Sequence, residues 1–220
     1  MHRRHLVTLS DNDICARIIN RIPANFEQYR AATLLFIENV IGESATHAGP
    51  LDDESAIIQT VLSQLNRLDC VTIDSQPFES EILNGTLYRA RPYLQFFYPR
   101  RKIEQLLNLF MYENDQTLVA MYVPGSNVVM HNDKLYTELA DADGYIPLHQ
   151  DFINGKWVDS FNTSINPFDV KEIFRNLSLT NNELLQYGNA NLCAVLIIGM
   201  DFSNTMFTKL AHSAHSLFFA

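Results

Sequence analysis

The sequence predicts an α+β protein: a mixed or antiparallel central sheet with flanking helices, preceded by a mainly helical N-terminal region. Three observations predict it. Apolar residues recur at helical spacing through the first 75 residues. Asn-Gly and Pro-Gly dipeptides then punctuate short apolar runs in the middle of the chain. Near the end stands ANLCAVLIIGMDF, apolar almost throughout over residues 190–202. The stretch from Leu192 to Met200 is half the ~20 residues a membrane span needs. It fits a strand buried on both faces, in the middle of a helix-covered sheet.

The elements follow in order. Ser10 and Asp13 resemble a capping box, after which Ile14, Ile18, Ile19 and Ile22 share a helical face that Pro23 ends. A second helix is expected from about Phe26 to Ile41, stopped by Gly42. Asp52 or Asp53 caps a third, with Ile57, Ile58, Val61, Leu62 and Leu65 as its stripe. CVTID alternates like a strand. Three helices and a strand suggest a winged-helix-like module or an ordinary helical subdomain, so residues 1–80 are divided from 81–220. Asn84-Gly85 and Asn154-Gly155 each signal a two-residue type I′ hairpin. TLVAMYV, Pro124-Gly125 and NVVM read as another strand pair. PFDVKEIF and NNELLQY read as short helices, and a last helix is expected from about Ser203 to Phe219.

Composition bounds the function. The chain has 220 residues, 47% of them hydrophobic and 19% charged, which describes a folded protein with a substantial core. The formal charge of −9 disfavours whole-surface binding to nucleic acid or anionic membrane. Cys15, Cys70 and Cys193 lie in apolar stretches without metal-ligand spacing, as reduced thiols of a cytoplasmic protein would. The N-terminal MHRRHLVTLSDND lacks the apolar run of a signal peptide.

Chemical motifs are incomplete. Asp141, Asp143 and Gly144 match positions 3, 5 and 6 of a calcium loop, but Leu139 and Gln150 stand at positions 1 and 12, so a turn explains DADG better. His212 and His215 lack a third ligand, and no metal site is expected. Neither Cys70 nor Cys193 has the flanking residues of a nucleophile. YRARPYLQFFYPRRK concentrates Arg89, Arg91, Arg100, Arg101 and Lys102 among five aromatics, with no acid. Such a segment meets phosphates of a cofactor or nucleic acid, or is a solvated basic stretch whose aromatics pack inward.

RARPYLQFFYPRRKIEQLLNLF, GYIPLHQDFINGKWVDSF and the run from DVKEIF to FTKLA occur in an order that resembles the nitroreductase-like flavoproteins, in particular the SagB/McbC-type dehydrogenases that tailor ribosomal peptides. The likeness covers about 60% of the chain. It implies an FMN-dependent oxidoreductase acting on a peptide-derived substrate, or a non-catalytic subunit of such a system, present as a homodimer or partner subunit. Arg91 would contact the flavin phosphate, assisted by Arg89 and Arg100, and Lys209 would stand near the reacting centre. Pro92 and Leu94 replace the family's Ser and second Arg, and Leu210, Ala211 and Ser213 replace its Tyr, Gly and Arg. The chain also ends at Ala220, before the family's last core helix. The competing expectation is an acidic protein-binding module without enzymatic activity: an immunity protein, chaperone or adaptor.

Overall fold

A computed structural model describes residues 23, 25–44, 49–111 and 116–218. The expected first helix, over residues 14–22, lies outside the described residues, as does Cys15. The described chain is α+β, and both of its sheets are antiparallel. None of its helices is long and apolar enough to cross a membrane.

Helix α1 (Phe26–Ile37) is capped by Asn25, whose side chain accepts the Gln28 N–H. A 3-10 turn (Glu54–Ile57) precedes α2 (Gln59–Arg67). That turn changes the helical phase, so Ile57 is exposed while Ile58, Leu62 and Leu65 are buried. Four strands follow: β1 (Val71–Gln76), β2 (Glu79–Leu83), β3 (Thr86–Ala90) and β4 (Tyr93–Pro99). Next come α3 (Ile103–Met111), β5 (Thr117–Tyr122), β6 (Val129–His131) and α4 (Asp133–Leu139). Helix α4 is a finding of the structure, in a stretch the sequence reading leaves unassigned. The chain continues through β7 (Ile146–Ile153), β8 (Lys156–Ile165), a 3-10 helix (Pro167–Ile173), α5 (Phe174–Thr180), α6 (Asn182–Asn191), β9 (Leu192–Gly199) and α7 (Thr205–Phe218).

The main sheet has the order β1-β4-β9-β5-β6. Its middle strand is β9, the stretch singled out from the sequence, and every β9 residue is buried. The pleat sends alternate side chains to opposite faces. Cys193, Val195 and Ile197 join a core with residues of α2, α3 and α7. Leu192, Ala194, Leu196 and Ile198 join a second core with the 3-10 helix, α5 and α6. Helix α1 begins in the second core at Phe26 and Tyr29 and ends in the first at Phe36 and Ile37. The described residues before 81 therefore share their core with the remainder, and β1 pairs directly with β4.

The smaller sheet has the order β2-β3-β7-β8. Strands β1 and β2 form one arm of a long ribbon, and β3 and β4 form the other. The ribbon leaves the main sheet at Pro77-Phe78 and re-enters it at Arg91-Pro92. Proline lacks an N–H, so a proline in each arm interrupts the ladder where the ribbon changes sheets. Both Asn-Gly turns form as expected. Asn84 and Gly85 have φ of 50° and 82°, Asn154 and Gly155 of 52° and 79°, the left-handed pair that a type I′ turn requires.

Candidate functional site

The two sheets meet at a corner built on Arg91. Its backbone N–H donates to the Leu148 carbonyl at 2.7 Å. Its guanidinium donates from Nε to the Pro147 carbonyl (3.1 Å) and from Nη1 to the Met200 carbonyl (2.7 Å). Only 3% of Arg91 is exposed. Its side chain thus ties β7 to the end of β9. The fit is close: a Cβ on Gly199 would stand 2.7 Å from Pro92 Cγ. Phe202, just after β9, lies 4.2 Å beneath the Arg91 guanidinium. Burial weakens the proton affinity of that guanidinium, which the carboxylate of Asp159 partly restores.

Arg89, two residues earlier, presents its guanidinium between two rings, 3.9 Å from Phe202 and 4.1 Å from Trp157. Its Nε and Nη2 both donate to Gln150 Oε1, and the Gln150 amide donates to Asp159 Oδ1 at 2.7 Å. This is a polar ladder across β3, β7 and β8, closed by stacking on aromatic faces.

Arg100 lies elsewhere. It is exposed in a 3-10 turn beyond the far end of β4, whose seven residues separate it from the corner by about 23 Å. Lys209 is partly exposed on α7, beside the buried Met206, Phe207 and Leu210. The residues that the resemblance assigns to a flavin do not fit a phosphate cradle. Arg91 directs its donors at backbone carbonyls, Arg89 is held by Gln150 between two rings, and Arg100 stands at the other end of a strand. Among the remaining cations and aromatics of residues 88–102, Arg101 is exposed, while others are engaged. Phe96, Phe97 and Tyr98 are buried, and Lys102 pairs with Asp69 at 2.7 Å, which Arg30 also approaches.

The other motifs resolve simply. Asp141 Oδ1 accepts the N–H groups of Asp143 and Tyr145, so DADG is a turn braced by its own aspartate. Among the described residues no three His, Cys, Asp or Glu side chains gather as a metal site. Cys70 and Cys193 are buried thiols. Burial raises both, Cys193 to about 12, which leaves them as thiols rather than thiolate nucleophiles.

What the smaller sheet exposes is an apolar row. Ile82, Leu87, Phe152 and Trp157 share one face, beyond the Arg89–Gln150–Asp159 ladder. Ile82 is 72% exposed, Leu87 36% and Phe152 40%. Phe152 and Trp157 pack ring on ring, 5.2 Å between centroids. The opposite face carries Glu79, Glu81 and Asp151 around Tyr88, whose hydroxyl donates to Glu81 at 2.7 Å, with Ile153 and Val158 exposed toward its other edge. The sequence reading missed this row, although a signal is present. ILNGTL and FINGKW both place a large apolar residue two positions before the Asn and another two positions after the Gly. In a two-residue hairpin those positions are cross-strand partners on one face.

No protein-family model matches the chain, and no curated protein matches it either.

Proposed function

We propose that this protein is a protein-binding module whose contact surface is the smaller sheet. The observation that carries the reading is the row Ile82, Leu87, Phe152 and Trp157. These are four large apolar side chains on one face of the sheet, none of them part of either core, with three of them at least 36% exposed. Contiguous apolar side chains of this kind mark interaction sites more often than isolated ones do. A tryptophan and a phenylalanine in ring contact are the side chains that anchor interfaces. The polar ladder behind them keeps the face rigid, so little order has to be gained on binding. The charge of −9 steers partners of opposite sign.

The competing reading is the FMN-dependent oxidoreductase on a peptide-derived substrate, rooted in the resemblance. One preparation decides between them. Purified protein mixed with FMN and passed through gel filtration should carry no flavin absorbance. A partner cross-linked to the wild type should be lost from Leu87→Glu/Phe152→Asp at unchanged melting temperature. A stoichiometric flavin that stays with the protein, or a variant that keeps the partner, would overturn the proposal.

A further inference from the structure

Resting on that reading, we infer that the occupant of the smaller sheet is an extended segment alternating basic and apolar residues, which adds as a fifth strand along β2. Among the described residues β2 is the terminal strand of this sheet, and Ser80, Glu81 and Ile82 are all exposed. A terminal strand turns alternate backbone N–H and C=O groups outward, ready for another strand. The two faces of β2 differ in chemistry. Ser80 and Ile82 point to the side of the apolar row, while Glu79 and Glu81 point to the side of Tyr88 and Asp151.

A strand laid beside β2 would inherit the same alternation, because directly opposed residues share a face. Its residues opposite Glu79 and Glu81 meet carboxylates, so Lys or Arg is favoured there. Its residues opposite Ser80 and Ile82 extend the apolar row, so Val, Ile or an aromatic is favoured there. Tyr88 leaves room for this exchange: burial, reinforced by Glu81 and Glu79, keeps its phenol protonated and donating. Added cations on that face would meet the carboxylates of Glu79 and Glu81.

The same charges argue against a second copy. Antiparallel pairing of two β2 strands about Ser80 sets Glu79 of each directly opposite Glu81 of the other, and opposed like charges destabilise a strand pair. The other terminal strand, β8, is a poorer template. Its register against β7 shifts between Pro147↔Ser164 and His149↔Ser160, and such an irregularity blunts an edge.

The probe is a blocked eight-residue peptide of alternating lysine and valine, compared with its glutamate–valine counterpart, titrated into the full chain. Trp157 is the chain's single tryptophan and sits on β8, the opposite edge of the sheet from β2, so its emission reports on binding at that edge. Amide exchange reports on β2. The lysine peptide should slow alternate amides of β2 and leave the Trp157 emission unchanged, and its affinity should fall as salt rises. Glu79→Lys/Glu81→Lys should weaken it about tenfold and admit the glutamate peptide instead. Both glutamates belong to an exposed strand, and an unchanged melting curve confirms that the variant folds.

Equal binding of the two peptides, or slowed exchange along β8 instead of β2, would overturn the inference while leaving the apolar face as a contact surface. Absence of any change in β2 exchange, or a Trp157 emission shift without one, would also overturn it, as would a wild-type dimer with β2 amides already protected. The cross-linking comparison with Leu87→Glu/Phe152→Asp tests the broader reading separately.

Discussion

The two sheets of this protein are both antiparallel, yet they do different work. In the main sheet β9 is covered on both faces, and its residues from Leu192 to Ile198 alternate between two apolar cores. In the smaller sheet the ribbon that carries β2 and β3 has left those cores, and the same residue types stand in solvent. The difference teaches that an apolar residue in a strand states a stability role only where something covers it. Leu196 in β9 is 1% exposed; Leu87 in β3 is 36% exposed.

That contrast can be broken by truncation. Leu196→Ala should destabilise by about 2–5 kcal/mol, because the packed second core collapses only partly around the void. Leu87→Ala should change stability by about 0.5 kcal/mol or less. Chemical denaturation of the two variants checks both values, and equal losses would mean that the apolar row of the smaller sheet is part of the core. At the junction, Arg91→Ala should cost about 3 kcal/mol, since it removes donors from the buried carbonyls of Pro147 and Met200. If Arg91 is the hinge pin of the corner, amide exchange in this variant should quicken in the smaller sheet before it does in β9. A uniform rise would mean that the two sheets unfold as one.

The smallest effect is expected from acid. Glu38, just after α1, is held below the ordinary carboxylate range by the hydrogen bond from Ser63 and then by Arg67. A carboxyl depressed in the folded state contributes stability above its unfolded pKa, near 4.3, and loses it as the pH falls through the folded value. Arg67 is 54% exposed, so solvent screens the pair and the loss is small. Comparing the melting temperatures of wild type and Glu38→Gln between pH 6 and pH 3 isolates it: the difference between them should shrink toward the acid end.

Much of the architecture was legible in local pattern. Both Asn-Gly hairpins, the Pro-Gly turn between β5 and β6, the helices after Asn25 and Asn181, and β9 itself follow from spacing and turn chemistry. Each depends on neighbours a few residues apart. The candidate site was read less well. The resemblance assigns Arg91 to a phosphate, whereas its guanidinium faces carbonyls 56 and 109 residues away in sequence. Arg100 looked like its neighbour because only nine positions separate them, but a strand holds them at opposite ends. The apolar row required two hairpins, ILNGTL and FINGKW, to be laid side by side through the pairing of β3 with β7.

The amino-acid sequence by itself determined most of the helices and turns, which strand is buried on both faces, and the acidic balance of the whole. Those properties arise from periodicity, turn residues and counting, and they need no partner. Tertiary structure alone decided which strands share a sheet and where the long ribbon turns away from the core. It also decided which of the cations remain open to solvent and which apolar residues have no cover. The physical reason is that burial and pairing belong to pairs of distant segments: a side chain's surroundings exist only once chain elements remote in sequence have been brought against it.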